Sequence, residues 1–314
     1  MRTKRFSRHS DVKQCVIVGD TVKTTVKQEE RITNCRLREQ CCDMVYEPGH
    51  KLPRTPGGCY VVFCKTEHAP YFFNACKQSC NTNYVLITHD SDIDITKEFF
   101  DQAPPNVFKW FAMNVKYKHD RLISIPIGSV GATWIGVDEH ATQRHLHDYA
   151  LTKETGESKQ HRNLVYVNFG IHTNHEHRAP IYEYFKDKEW ATVRPCDIPL
   201  SEYNNSDGFV SISQYYDEVY NHKFVMSPLG NGVDCGRNWQ CLYLGTIPIV
   251  PRHVNIEYYE DLPILIYDDI NDLTEEYLNN AYEEITNKKV NLEKSTLSYW
   301  KGRFYEEKRL ASRR

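Results

Sequence analysis

At 314 residues, with 39 lysines and arginines against 42 aspartates and glutamates, the chain has a formal net charge of −3, which excludes a global electrostatic pull towards nucleic acid. An apolar content of 40% supplies packed cores and excludes a disordered chain, and the length points to two domains of about 150 residues each. No stretch has the apolar length of a bilayer span and the polar start lacks the hydrophobic core of a signal peptide, so a soluble cytoplasmic protein with no membrane insertion is expected.

The chain opens on basic Arg2, Lys4, Arg5 and Arg8 and closes on Lys308, Arg309, Arg313 and Arg314, clusters that read first as solvated tails. Eight of the eleven cysteines fall in the first 80 residues, without the paired C-x-x-C spacing of a zinc site. Free, mostly buried thiols are expected, and no disulfide framework. Short apolar runs at residues 15–18, 59–64 and 84–88, separated by helical spacers, argue for a parallel sheet covered by helices. Residues 98–100 and 107–113 gather aromatics around Pro104 and Pro105, and residues 121–127 read as a strand leading into a loop at Gly128.

The strand at 84–88 runs into THDSDID, which carries His89, Asp90, Asp92 and Asp94. Two kinds of chemistry suit acids at the carboxyl end of a strand. A D-x-D pair can hold a divalent cation against a diphosphate, and an Asp or His beside a cleft can take the proton of an attacking hydroxyl. A turn cap by Asp90 or Asp92 is the structural alternative. Glu67 and His68 are the next candidates along the chain.

Residues 140–160 are polar, with almost no aliphatic core material, and read as a linker or a surface helix. A second α/β unit starts with the strand at 164–169. The segment from Asn168 to Arg178, NFGIHTNHEHR, then offers Thr173 and Asn174 as caps for a helix start, and Arg178 as a phosphate clamp. His172, His175 and His177 follow neither a metalloprotease helix motif nor a closed zinc pattern, so no metal is assigned to them.

Residues 223–250, KFVMSPLGNGVDCGRNWQCLYLGTIPIV, are the most informative stretch. A buried strand ends at Met226, Gly230, Asn231 and Gly232 form a loop of little bulk, Asp234 stands where an N-cap belongs, and Arg237 lies in the first helical turn. Unpaired N–H groups and the macrodipole make such a helix start a phosphate site, and an arginine adds a fork of donors. Gly245 suits a left-handed C-cap, and residues 246–250 read as the next strand. A strand at 262–267, a helix at 272–285 and a terminal helix at 298–310 complete the chain.

The pattern F-x-x-SP-x-G-x-G-x-D-x-x-R-x-W, a helix, then L-G-x-IPIV resembles the donor-binding core of exostosin-like glycosyltransferases of the GT-B type, in particular anchor-free bacteriophage and large-virus members. The V-x-F-x-x-x-T-N-x-x-R run ending at Arg178 is similar to a second segment of that group. The resemblance implies an α/β fold of two Rossmann-like domains with parallel sheets facing a central cleft. It places the acceptor side at residues 1–155, the nucleotide-sugar side at 156–297, and a C-terminal helix crossing back to the first domain with its basic tail at 298–314. It also implies a location in the host cytoplasm if the chain is viral. It implies a UDP- or GDP-type nucleotide sugar as donor substrate, no tightly bound cofactor and no catalytic metal. Arg237 would contact the donor phosphates, and Trp239 would pack its helix on the sheet. Gln240 stands where the family usually has glutamate, which leaves the donor's identity open.

On this reading Asn168, Thr173, Arg178, Gly230, Asn231, Gly232, Asp234, Arg237 and Gln240 bind the donor, and a base drawn from His89, Asp90 and Asp92 activates the acceptor. The acceptor is a glycan or a hydroxymethylated base in phage DNA. The rival readings are a non-catalytic nucleotide-sugar-binding module, favoured by Gln240, and a metal-dependent transferase using the D-x-D pair.

Overall fold

The structure is a computed structural model that describes residues 17–18, 21–22, 26–79, 81–129, 139–153, 159–194 and 211–313. The basic residues Arg2, Lys4, Arg5, Arg8 and Arg314 lie outside the described residues, as does Cys15. The strand expected at 15–18 is a correction. Its described part, β1 (Ile17–Val18), pairs antiparallel with β2 (Thr21–Val22) and joins neither main sheet.

The first sheet follows helix α1 (Asn34–Gln40) and holds β3 (Met44–Val45), β4 (Cys59–Lys65), β5 (Asn83–His89), β6 (Val107–Ala112) and β7 (Leu122–Ser124). These strands are all parallel and lie side by side in chain order. Right-handed crossovers stepping in one direction fall on one face of a sheet. Helices α2 (Ala69–Lys77) and α3 (Lys97–Phe100) cover that face, where Phe72, Phe73 and Phe100 pack with Val62, Leu86 and Trp110. The period of two sends Val61, Phe63, Val85, Ile87 and Phe111 to the opposite face, which Leu37 of α1 and Cys41 cover only in part.

Residues 139–153, expected as linker or surface helix, form α4 (Glu139–Lys153). Leu146 and Ala150 are buried from it, and the Tyr149 hydroxyl donates to Asp217 at 2.8 Å. The second sheet then assembles from β8 (Asn163–Val167), α5 (His175–Phe185), β9 (Ala191–Val193), α6 (Ile212–Tyr220), β10 (His222–Met226), α7 (Gly236–Leu244), β11 (Ile247–Pro251), α8 (Val254–Glu257) and β12 (Leu265–Tyr267). Its parallel order is β12-β11-β10-β8-β9, so the chain leaves β8 in one direction and β10 in the other. The crevice at the carboxyl ends of β8 and β10 is therefore a topological switch point. Gly245 closes α7 in the left-handed conformation at φ 67°, as its sequence position predicts. Helix α9 (Glu275–Asn287) is capped by Thr274 and starts three residues later than expected, and β12 is likewise shorter than the apolar run at 262–267.

The last helix, α10 (Leu297–Ala311), supplies the missing cover for the first sheet. Trp300 and Phe304 insert into the core that also holds Phe63, Ile87 and Phe111, with the Phe304 ring 4.8 Å from Phe111 in an edge contact. Two parallel α/β sheets with a C-terminal helix returning to the first is the GT-B-like layout expected. That core continues through Tyr166, Trp239 and Tyr259, so both sheets share it. Cys41, Cys59, Cys64, Cys76 and Cys241 are buried thiols, and burial pushes Cys41 up to about 12 and Cys59 up to about 11, holding both protonated. Among the described residues no helix is long and apolar enough to cross a membrane.

Because Phe304 is fully buried in the core beneath the first sheet, Phe304→Ala is expected to lower unfolding free energy by about 3–5 kcal/mol in a urea titration. A loss below roughly 1 kcal/mol would mean that α10 is not part of the core.

Candidate functional site

The loops that follow β8 and β10 meet at the switch point, and Arg178 fastens them together. Its side chain is 6% exposed, with Nε donating to the Leu229 carbonyl and Nη1 to the Gly170 carbonyl, both at 2.7 Å. Asn174 Nδ2 donates to the Gly230 carbonyl at 3.0 Å, and Arg178 Nη2 would lie 3.2 Å from a Cβ at Gly230. Through these bonds Arg178 braces the two loops. Thr173 and Asn174 form a 3₁₀ turn, and Asn174 takes the N-cap position of α5 without a side-chain capping bond. Asn168 donates to the Tyr166 hydroxyl at 2.7 Å.

Asp234 is one residue too early to be the N-cap, which is Cys235. Its buried carboxylate instead accepts from Ile127 N–H at 2.7 Å, Cys235 N–H at 2.8 Å, Asn238 Nδ2 at 3.2 Å and Trp239 Nε1 at 3.1 Å. Ile127 belongs to the first half of the chain, so Asp234 ties the loop across the junction of the sheets. Burial lifts its carboxyl to about 6, and the N–H groups oppose that lift. Asn114 completes the tie from the other side, its Oδ1 accepting Asp234 N–H at 3.1 Å and its Nδ2 donating to the Ser91 carbonyl at 3.0 Å. Neither role was visible in the sequence, where Asn114 carries no motif.

The glycines of the loop serve this closeness. A Cβ at Gly232 would stand 2.6 Å from both Asn114 Nδ2 and Oδ1, so the approach that demands glycine is to a side chain of the other half. Asn231 is exposed and donates to Asp92 Oδ2 at 3.1 Å, bringing the glycine loop to the acidic strand end.

Arg237 sits in the first turn of α7, whose start no side chain caps. Its Nε donates to the Tyr215 hydroxyl at 3.3 Å, and its Nη1 is buried without a partner. Among the described residues no carboxylate pairs with it. Gln240 Oε1 accepts from the same Tyr215 hydroxyl at 3.2 Å. Tyr215 is a site residue that sequence reasoning missed, because it carries no motif. Trp239 is fully buried, its ring 5.1 Å from Tyr259, and packs α7 inward as expected.

The acidic strand end separates three candidates. His89 is 1% exposed and its Nε2 is 3.1 Å from the Pro126 carbonyl, while Nδ1 has no partner. Burial lowers it to about 4, so its imidazole is neutral. Asp90 adopts a left-handed φ of 61° and pairs with Lys65 at 2.8 Å. Asp92 is exposed and faces the glycine loop. The D-x-D carboxylates therefore reach different partners. Among the described residues no group of three or more His, Cys, Asp or Glu side chains is placed to hold a metal, His172, His175 and His177 included.

No family model and no curated protein sequence matches the chain. Among solved structures, an alpha1,3-fucosyltransferase is similar over 85% of this chain and 80% of that chain, at 10% identity and a TM-score of 0.46. That likeness transfers no residue roles.

Two outcomes follow from this geometry. Gly232→Ala is expected to cost about 1–3 kcal/mol in denaturant unfolding, and Asn114→Ala in the same chain to recover part of that loss; strict additivity of the two would refute the close approach. His89 is neutral when folded and charges when unfolded, so its contribution is present above pH 6.5 and is lost as pH falls towards 4, by roughly 3 kcal/mol. Stability measured across that window is expected to fall less steeply in His89→Gln, and equal slopes would place the imidazole in water.

Proposed function

We propose that the protein is a glycosyltransferase that moves a sugar from a nucleotide-sugar donor, of the UDP or GDP type, to an acceptor hydroxyl. The observation that carries the reading is Arg237, a guanidinium at an uncapped helix start whose hydrogen-bond partner is a neutral phenol and whose Nη1 is buried and unpartnered. A cation half withdrawn from water, with no carboxylate beside it among the described residues, is favourable ground for an anion. A diphosphate matches the fork of donors, the open N–H groups and the switch-point position together.

In this reading residues 156–297 hold the donor, with Gly230, Arg237 and Gln240 around its phosphates, and residues 1–155 present the acceptor. Arg178, Gly232 and Asp234 shape the loop, with Asn168 and Thr173 at its edge. Asp92 is the base. It is exposed and borders the donor loop, whereas Asp90 is held by Lys65 and His89 is enclosed. It takes the acceptor proton as the oxygen attacks the anomeric carbon. The bond from that carbon to the diphosphate breaks, and Arg237 receives the departing charge. A glycan hydroxyl is the favoured acceptor, because a net charge of −3 offers DNA no broad basic surface.

Nucleoside diphosphates and nucleotide sugars are expected to raise the melting temperature of the wild type and not that of Arg237→Ala. Asp92→Asn is expected to keep that shift while losing about 100-fold or more in transfer rate. A shift that survives in Arg237→Ala would remove the donor site, and full activity in Asp92→Asn would remove the base.

A further inference from the structure

The glycine loop and the acidic strand end each turn an exposed polar side chain towards the other, and each loop is fixed on both sides of that residue. Within residues 227–235 Asn231 alone is exposed. Before it, the Gly230 carbonyl accepts from Asn174 Nδ2 at 3.0 Å, and the Gly230 N–H donates to the Gly232 carbonyl at 3.1 Å, which tightens the turn. After it, Gly232 lies against the Asn114 amide. Asn231 therefore leaves a backbone that neighbours on both sides hold in place.

The facing loop carries Asp90, Asp92 and Asp94, and their partners differ in charge. Asp90 pairs with Lys65 at 2.8 Å and Asp94 with Lys116 at 2.6 Å. Asp92 makes no ion pair among the described residues, and its Oδ2 accepts from Asn231 Nδ2 at 3.1 Å. Its neighbour Ser91 is pinned, with the carbonyl accepting from Asn114 Nδ2 at 3.0 Å, and Oγ donating to Glu67 Oε1 at 2.8 Å and accepting from Ile93 N–H at 3.1 Å. Asn114 also accepts Asp234 N–H at 3.1 Å, so one side chain grips both loops and fixes the gap that Asn231 spans. A carboxylate held against an ammonium is a weaker proton acceptor, whereas a neutral amide orients it and adds no charge. Of three like acids, Asp92 is the one oriented without being neutralised.

We propose that Asn231 is the positioning residue of Asp92. Its amide takes one carboxylate oxygen and leaves the other to the acceptor hydroxyl, and because Asn231 stands on the loop that leads into α7, it sets the base against the bound donor. Asn231 thus acts on the base and not on the donor phosphates. The inference rests on the reading of Asp92 as the base and adds the group that aims it.

The test is steady-state release of nucleoside diphosphate from a panel of UDP- and GDP-hexoses, with water standing in for the acceptor hydroxyl, at about pH 5 to 9. The full chain is compared with Asn231→Ala, Asn231→Gln, Asn231→Asp and Asp92→Asn. Asn231→Ala is expected to lower kcat about tenfold or more while donor KM stays within about twofold. Its kcat profile is expected to lose its acid limb at higher pH, because a carboxylate deprived of a donor protonates more readily. Asn231→Asp brings a like charge and is expected to move that limb further, whereas Asn231→Gln keeps the amide and is expected to restore most of the rate. An unmoved acid limb reduces Asn231 to loop packing, and a raised donor KM with unchanged kcat makes it a donor ligand. Either result overturns the proposal, while an inactive Asp92→Asn leaves the base standing. Full release by Asp92→Asn, or none by the wild type, overturns the base and the proposal together.

Discussion

The structure turns on one buried carboxylate. Asp234 stands where the carboxyl ends of the two sheets meet, and a carboxylate removed from water is tolerable only when donors saturate it. Ile127 supplies one N–H from the first half, and Cys235, Asn238 and Trp239 supply the rest from the second. Since these donors come from both sides, satisfying Asp234 sets the position of the glycine loop, the start of α7 and the facing loop after β7 at once. Asn114 and Gly232 are consequences of that constraint, because the loop comes so near the other half that no Cβ fits.

The two sheets solve different covering problems. The strands of the first advance in one direction, which puts α2 and α3 on one face, and α10 packs on the other together with Leu37 of α1, joining the chain's last helix to its first sheet. The second sheet reverses direction between β8 and β10, which clothes both its faces with local helices and opens a crevice at the reversal. The loops richest in site residues, 168–174 and 227–235, leave the sheet at that crevice. Topology thus concentrates the candidate site on one half, and the tie through Asp234 and Asn114 brings the acidic strand end of the other half to it.

Within the crevice the arginines divide their labour by what surrounds them. Arg178 spends its Nε and Nη1 donors on backbone carbonyls and becomes scaffold. Arg237 meets a neutral phenol and retains an unpartnered nitrogen. Two guanidiniums of identical chemistry are distinguished by their partners: among the described residues Arg178 donates to two loop carbonyls, and Arg237 to a phenol with no carboxylate beside it.

Much of this was legible in the amino-acid sequence. Short apolar runs along 59–64 and 84–88 announced buried parallel strands, Gly245 announced a left-handed helix end, and the spacing of Gly230, Gly232 and Arg237 announced a loop entering a helix. These signals are local, since burial period and φ preference are properties of a few consecutive residues. The partners of polar side chains are not local. Asp234 meets Asn114 and Ile127 across separations of 120 and 107 residues, and Tyr215 meets Arg237 across 22. Nothing in a single sequence encodes which of several donors will face a carboxylate, so the sequence by itself determined the elements and the loops between them. Only the tertiary structure decided that Asp234 and Arg178 hold the site together, that Gly232 yields to Asn114, and that Arg237 meets the phenol of Tyr215.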